Sequence, residues 1–140
     1  MKEIVISFIV ILVLFLVIDL PVILYFNKEM YQNQFKRINN GDIKSGQHVW
    51  ISGAIAYLLL ALGIYFFIVK QELKEEKQNY FKILIRGLVL GLIIYGIYNG
   101  TNKATINEFG TKESIIDTIW GTLLSGLLAT SSVYILKKIN

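Results

Sequence analysis

The stretch IVISFIVILVLFLVIDLPVILYF, residues 4–26, carries Asp19 as its single charged side chain. An α-helix of about 20 apolar residues crosses the hydrocarbon core of a bilayer, because a helix satisfies its backbone polar groups within one segment. Three further windows are built the same way. Val49–Val69 and Gly87–Thr101 hold no charge, and Ile115–Leu136 holds only Asp117. The third window reaches spanning length when it is taken from Ile83 to Lys103, with Arg86 snorkelling at one end. The expectation is an all-α integral membrane four-helix bundle. Its single membrane domain covers residues 1–140, with spans near 4–26, 49–69, 83–103 and 115–136.

Composition agrees. Apolar residues make up 54% of the chain, the mean hydropathy is +0.56, and charged residues are 17%. Soluble domains carry about 25% charge. A soluble bundle of this size would need a polar face on each helix, which these windows lack. Lys2-Glu3 before an apolar run resembles a signal peptide. The run outlasts the roughly 7–15 residues of an h-region and no Ala-x-Ala-like site follows, so a retained first span is expected. The chain has no cysteine, which excludes disulfides, zinc–thiolate sites and iron–sulfur clusters. A net charge of +4 and a pI near 9.2 would suggest nucleic acid in a soluble protein. Here the lysines lie in connectors beside apolar spans, where they meet lipid head groups. The bilayer, not nucleic acid, is the expected partner.

The connectors differ in character. Asn27–His48 is the longest and places Tyr31, Phe35 and Ile38 at helical spacing in a polar stretch. That predicts a short interfacial helix after the first span, ending near Asn39-Asn40-Gly41. Lys70–Lys82 is dense in charge and reads as a solvated turn, and Asn102–Ser114 is short. With the N-terminus cytoplasmic, eight Lys/Arg fall on the inner side and six on the other, a small bias toward both termini inside.

Antiparallel spans place the end of one beside the start of the next, and this gathers the polar residues. Asp19 and Pro21 lie late in the first span, and His48, Trp50 and Ser52 early in the second. Tyr95, Tyr98, Asn99, Thr101 and Asn102 lie late in the third, and Asp117, Thr118 and Trp120 early in the fourth. Gly87, Gly91, Tyr95, Tyr98 and Asn102 share one helical face, as do Asp117, Gly121, Ser125, Ala129 and Ser132. Small residues spaced by four let helix backbones approach closely in lipid. These two stripes predict a seam between spans three and four that brings Asp117 toward Tyr98, Asn99 and Asn102. The candidate binding cluster is Asp19, Tyr95, Tyr98, Asn99, Asn102, Asp117 and Trp120.

Each candidate also has a plainer role. A carboxylate inside a span costs about 2.5–3.5 kcal/mol on insertion scales. Asp19 therefore either serves as an interhelical hydrogen-bond partner or holds a ligand or proton. Asp117 suits the positive N-terminus of its own helix. Trp50 and Trp120 are of the type that anchors spans at the interface. Tyr95 and Tyr98 suit bundle packing, and Pro21 a local kink. His48 has no second ligand at metal spacing, so neither a metal nor a cofactor is expected. Asn99-Gly100-Thr101 matches a glycosylation acceptor but lies too near the bilayer. No nucleophile with a supporting base is present.

With these residues in view, the chain resembles a family of small four-span predicted membrane proteins of unknown function, with members in bacteria and large DNA viruses. The resemblance rests on Asp19, on Tyr98-Asn99-Gly100-Thr101-Asn102-Lys103-Ala104-Thr105, and on Asp117-Thr118-Ile119-Trp120-Gly121. The family pattern at the last two places reads Tyr-Asp-Leu-Thr-Asn-x-Ala-Thr and Asp-x-x-Trp-Gly. Asn99 stands where that pattern has aspartate, and Pro21-Val22 where a tryptophan is common. The resemblance implies the four-span fold and no particular activity.

Three functions compete at this level. A small solute or ion transporter or binding protein would use Asp19 and Asp117. Four helices scarcely enclose a path, so it would act as an oligomer, most simply a homodimer. A non-catalytic scaffold or assembly subunit would use the polar cluster to fasten the bundle. An enzyme acting on lipid head groups would need acid–base chemistry from Asp19, Asp117 and His48, without any nucleophile to support it.

Overall fold

The computed structural model of the chain describes residues 2–42 and 44–139, and every regular element among them is helical. Helix α1 (Lys2–Pro21) continues through a π-helical turn at Val22–Phe26, and α2 is Lys28–Ile38. Helix α3 (Gln47–Ile64) continues through a second π-helical turn, Tyr65–Val69, to Lys70–Glu72. Helices α4 (Tyr80–Thr105) and α5 (Thr111–Ile139) complete the chain. Four stretches are long and apolar enough to cross a membrane: Glu3–Phe26, Gln47–Glu72, Tyr80–Thr105 and Thr111–Ile139. They overrun the expected spans because polar flanks continue the helices. Asn79 starts α4 in this way, its side chain accepting from the Lys82 N–H at 3.0 Å.

The irregularity expected at Pro21 is a widened turn. Proline offers no N–H to the ladder, and just beyond it the Asn27 N–H reaches back five residues to Val22 O at 2.8 Å. The interfacial helix forms as expected. Its last turn is closed by the Asn39 N–H on Phe35 O, and Asn40 and Gly41 follow with positive φ.

Helix α5 is the centre of the bundle. Half of its most apolar window is buried, against 17–28% for the other three spans. Leu124, Leu128, Ala129, Val133 and Leu136 of α5 meet Ile11 and Phe15 of α1 and Leu60, Ile64 and Ile68 of the α3 segment. Helix α4 packs almost wholly on α5, along the predicted small-residue seam. A Cβ on Gly87 would come within 2.7 Å of Gly126 Cα and Ser125 O, and one on Gly91 equally close to Gly121 O and Ser125 Oγ. Hydrocarbon gives helices no hydrophobic reason to associate, so close backbone packing of this kind holds them. Three of the α5 hydroxyls are satisfied within their own helix, while the buried Ser132 Oγ has no partner among the described residues. Thr122, Ser125 and Thr130 each donate to the carbonyl four residues earlier, at 2.7–2.8 Å.

One part of the bundle stands clear. Residues 47–56, the outer half of α3, are exposed on every face, and α3 joins the core only from Tyr57 inward. Trp50 is 80% exposed and a Cβ on Gly53 would meet nothing within 4 Å.

Candidate functional site

Two carboxylates organise the polar end of the bundle. Asp19 is 4% exposed and accepts two hydrogen bonds. Trp120 Nε1 of α5 donates to its Oδ1 at 2.8 Å, and the Tyr57 hydroxyl of α3 donates to its Oδ2 at 2.6 Å. Asp117 is half-buried and similarly served. The Tyr31 hydroxyl of α2 donates to its Oδ1 at 2.6 Å, and Asn99 Nδ2 of α4 to its Oδ2 at 2.7 Å. Asn99 Nδ2 also donates to Tyr95 O, one turn earlier, at 3.0 Å. The two sets of hydrogen bonds, one on each carboxylate, together draw on all five helices.

Local sequence explains the placement. Asp117 and Trp120 are three apart, so α5 presents both toward the interior. Gly121 follows, and its missing side chain is where the Tyr95 ring sits: a Cβ there would overlap the ring. Tyr95 thus lies over the α5 backbone at Gly121, one turn after Asp117. Phe15 of α1 stacks on Tyr57, with ring centroids 4.2 Å apart, and fixes the phenol that reaches Asp19. Asp19, Tyr57 and Trp120 lie two to three turns inside their spans, about 10–15 Å from the helix ends at 1.5 Å per residue. The Asp19 end of the network is therefore deeper than a surface cap.

The structure brings together five of the expected residues: Asp19, Trp120, Tyr95, Asn99 and Asp117. Tyr98 and Asn102 do not join them. Tyr98 is 54% exposed, and among the described residues neither side chain bonds to a carboxylate. The stripe of α4 advances by fours through Gly87, Gly91, Tyr95 and Asn99, which turns Tyr98 outward. Trp120 is not merely an interfacial anchor, since its indole N–H is committed to Asp19.

Two donors, Tyr31 and Tyr57, escape the sequence reading. Tyr57 lies in an aliphatic run where a phenol reads as packing. Its depth, level with Asp19 in the antiparallel neighbour, was the available signal. Tyr31 reads as part of an apolar face on the interfacial helix, yet that face is turned to α5. Tyr31 bonds Asp117, Gln34 Oε1 accepts from the Gly110 N–H at 3.3 Å, and Arg37 pairs with Glu113. Helix α2 is thus laid across the N-terminal turns of α5 by polar contacts at positions i, i+3 and i+6. Burial first, and the hydrogen bond to Asp117 next, push the Tyr31 phenol above the ordinary tyrosine value near 10.

Among the described residues no three His, Cys, Asp or Glu side chains gather to hold one metal ion. Span length, four-fold repetition of apolar helices and acids sequestered in the interior together define a multi-pass integral membrane bundle. The chain belongs to the family of predicted membrane proteins DUF2177, whose family model matches residues 4–134. No curated protein and no solved structure matches it.

Proposed function

We propose that the protein handles a small solute or ion in the membrane, binding it at Asp19 and Asp117, and that it works as an oligomer. The observation that carries this reading is an imbalance of charge. Every oxygen of the two carboxylates accepts from a neutral donor, and among the described residues the ion pairs are Arg37–Glu113 and Arg86–Glu72, elsewhere in the bundle. Two acids in a low-dielectric interior with no protein cation are balanced by a proton or by a cationic ligand. The unpartnered outer half of α3 supports an oligomer, since four helices scarcely enclose a path and a second copy has a free face to take. Flux of protons or monovalent cations into liposomes containing the purified protein tests this. Wild type is expected to conduct, and Asp19→Asn and Asp117→Asn each to reduce the rate at least about ten-fold, the cost of roughly 1.4 kcal/mol at a barrier. A wild type without flux, or variants that match it, removes the reading.

A second reading rests on the same hydrogen bonds. The four donors to Asp19 and Asp117 come from α2, α3, α4 and α5, so the carboxylates tie the helices together as a non-catalytic scaffold or assembly subunit would require. On that reading Asp19→Asn lowers stability and partner capture while flux is absent throughout.

A further inference from the structure

We infer that the groove between α3 and α4, at the end of the bundle away from the two aspartates, seats an anionic phospholipid. Helices α3 and α4 meet chiefly at the Tyr65–Val69 turn, and beyond it they part. The cleft so formed is lined by Phe67 and Ile68 on one side and Val89, Leu90 and Ile93 on the other, with Arg86 at its mouth. Phe67, Val89 and Ile93 are 63%, 51% and 51% exposed, so the cleft opens sideways toward the acyl chains rather than into the protein. Water gains nothing on these walls, and an empty cleft forfeits contacts on both of them. A hydrocarbon chain fills it.

Charge selects the head group. Arg86 is anchored rather than mobile: Nη1 donates to Glu72 Oε1 at 2.6 Å, and Nη2 donates to Gln71 Oε1 at 2.6 Å and to Phe67 O. A guanidinium has five N–H groups, so those on Nε and the second on Nη1 remain to meet an acceptor. Lys82 lies one turn nearer the start of α4 on the same face, exposed and without an ion-pair partner among the described residues. Lys70 rests its ammonium 5.3 Å from the Phe66 ring, beside Phe67. This end of the bundle carries Lys2, Lys70, Lys74, Lys77, Lys82, Arg86, Lys137 and Lys138 against Glu3, Glu72, Glu75 and Glu76. A phosphodiester at the mouth completes this arrangement, with its chain running along Val89 and Ile93. Such basic pockets between spans match the charge of anionic lipid heads.

The test is native mass spectrometry of the delipidated full chain, titrated with equal amounts of phosphatidylglycerol and phosphatidylcholine bearing identical acyl chains. Wild type is expected to retain phosphatidylglycerol preferentially. Lys70→Gln and Lys82→Gln should each lower the preference about five-fold. Both positions are exposed, so neither substitution threatens the fold. Val89→Trp fills the cleft and should reduce retention of both lipids. Inorganic phosphate alone should displace neither. Equal retention of the two lipids by wild type, or a preference that survives both lysine substitutions, overturns the proposal. Retention of both lipids unchanged by Val89→Trp removes the groove as the seat of the chain.

Discussion

Gly91 and Gly96 show how differently one residue type is used along a single helix. A Cβ at Gly91 would press on Gly121 O and Ser125, whereas one at Gly96 would meet nothing within 4 Å. Gly91→Val should therefore destabilise the bundle by about 1–3 kcal/mol, the usual range for overpacking. Gly96→Ala should leave it unchanged or slightly firmer, since alanine is the better helix former. Reversible unfolding in bicelles separates the two. Trp120→Phe keeps an aromatic ring but deletes the indole donor to Asp19, at an expected cost of about 0.6–1.7 kcal/mol for an interhelical hydrogen bond in lipid. The Tyr31 phenol gives a pH dependence with a definite sign. The folded chain holds that proton more tightly than the unfolded chain, so its contribution is whole below about pH 10 and is lost as pH rises through the folded value. Tyrosinate absorbance of wild type and Tyr31→Phe should coincide through the ordinary tyrosine range and diverge only at higher pH. Asp19 and Asp117 were legible in the sequence because a charge within an apolar run has to be explained. Their donors Tyr57 and Tyr31 were not, since a phenol costs little in either setting and its partner lies 38 or 86 positions away.

At the scale of an element, α2 is held by its polar face. Its periodicity announced a surface helix, and its bounds agree, but periodicity does not say what covers a face. The buried residue is Gln34, and Phe35 is left 41% exposed while stacking on Tyr31. Arg37 is 44% exposed in its pair with Glu113, so Arg37→Gln should weaken docking by well under about 1 kcal/mol after screening by solvent. Tyr31→Phe leaves an Asp117 oxygen without its donor and should cost more, about 1–3 kcal/mol. Hydrogen exchange across Lys28–Ile38 checks both. The expected order of protection is wild type, then Arg37→Gln, then Tyr31→Phe, and a reversed order would place the hold of α2 elsewhere. The seam of α4 on α5 was legible at this scale because glycine spacing is a backbone signal. Its continuation through Asn99 rather than Tyr98 was not, since either step suits an α-helix.

The whole molecule was legible as four spans from charge-free length alone. The central position of α5 was not, because span hydropathy measures preference for lipid, and by that measure α5 is the weakest span: its window averages 1.5, against 1.8 to 3.0 for the others. The most interior helix is the least oily, as packing by small and hydroxylated residues requires. The free half of α3 makes a prediction about assembly. The chain has no cysteine, so single cysteines report cleanly. Ile51→Cys should cross-link between copies in liposomes, and Val13→Cys on α1 should not. The centrality of α5 also bears on how a cell makes this protein. During translation α1 and α3 can meet early, but α4 enters the bilayer before α5, the helix it packs against, exists. Until α5 emerges, Asp19 has Tyr57 but no indole, and Asn99 has no acid to serve. A nascent chain halted before Thr111 leaves α4 unfastened, an open target for membrane quality control.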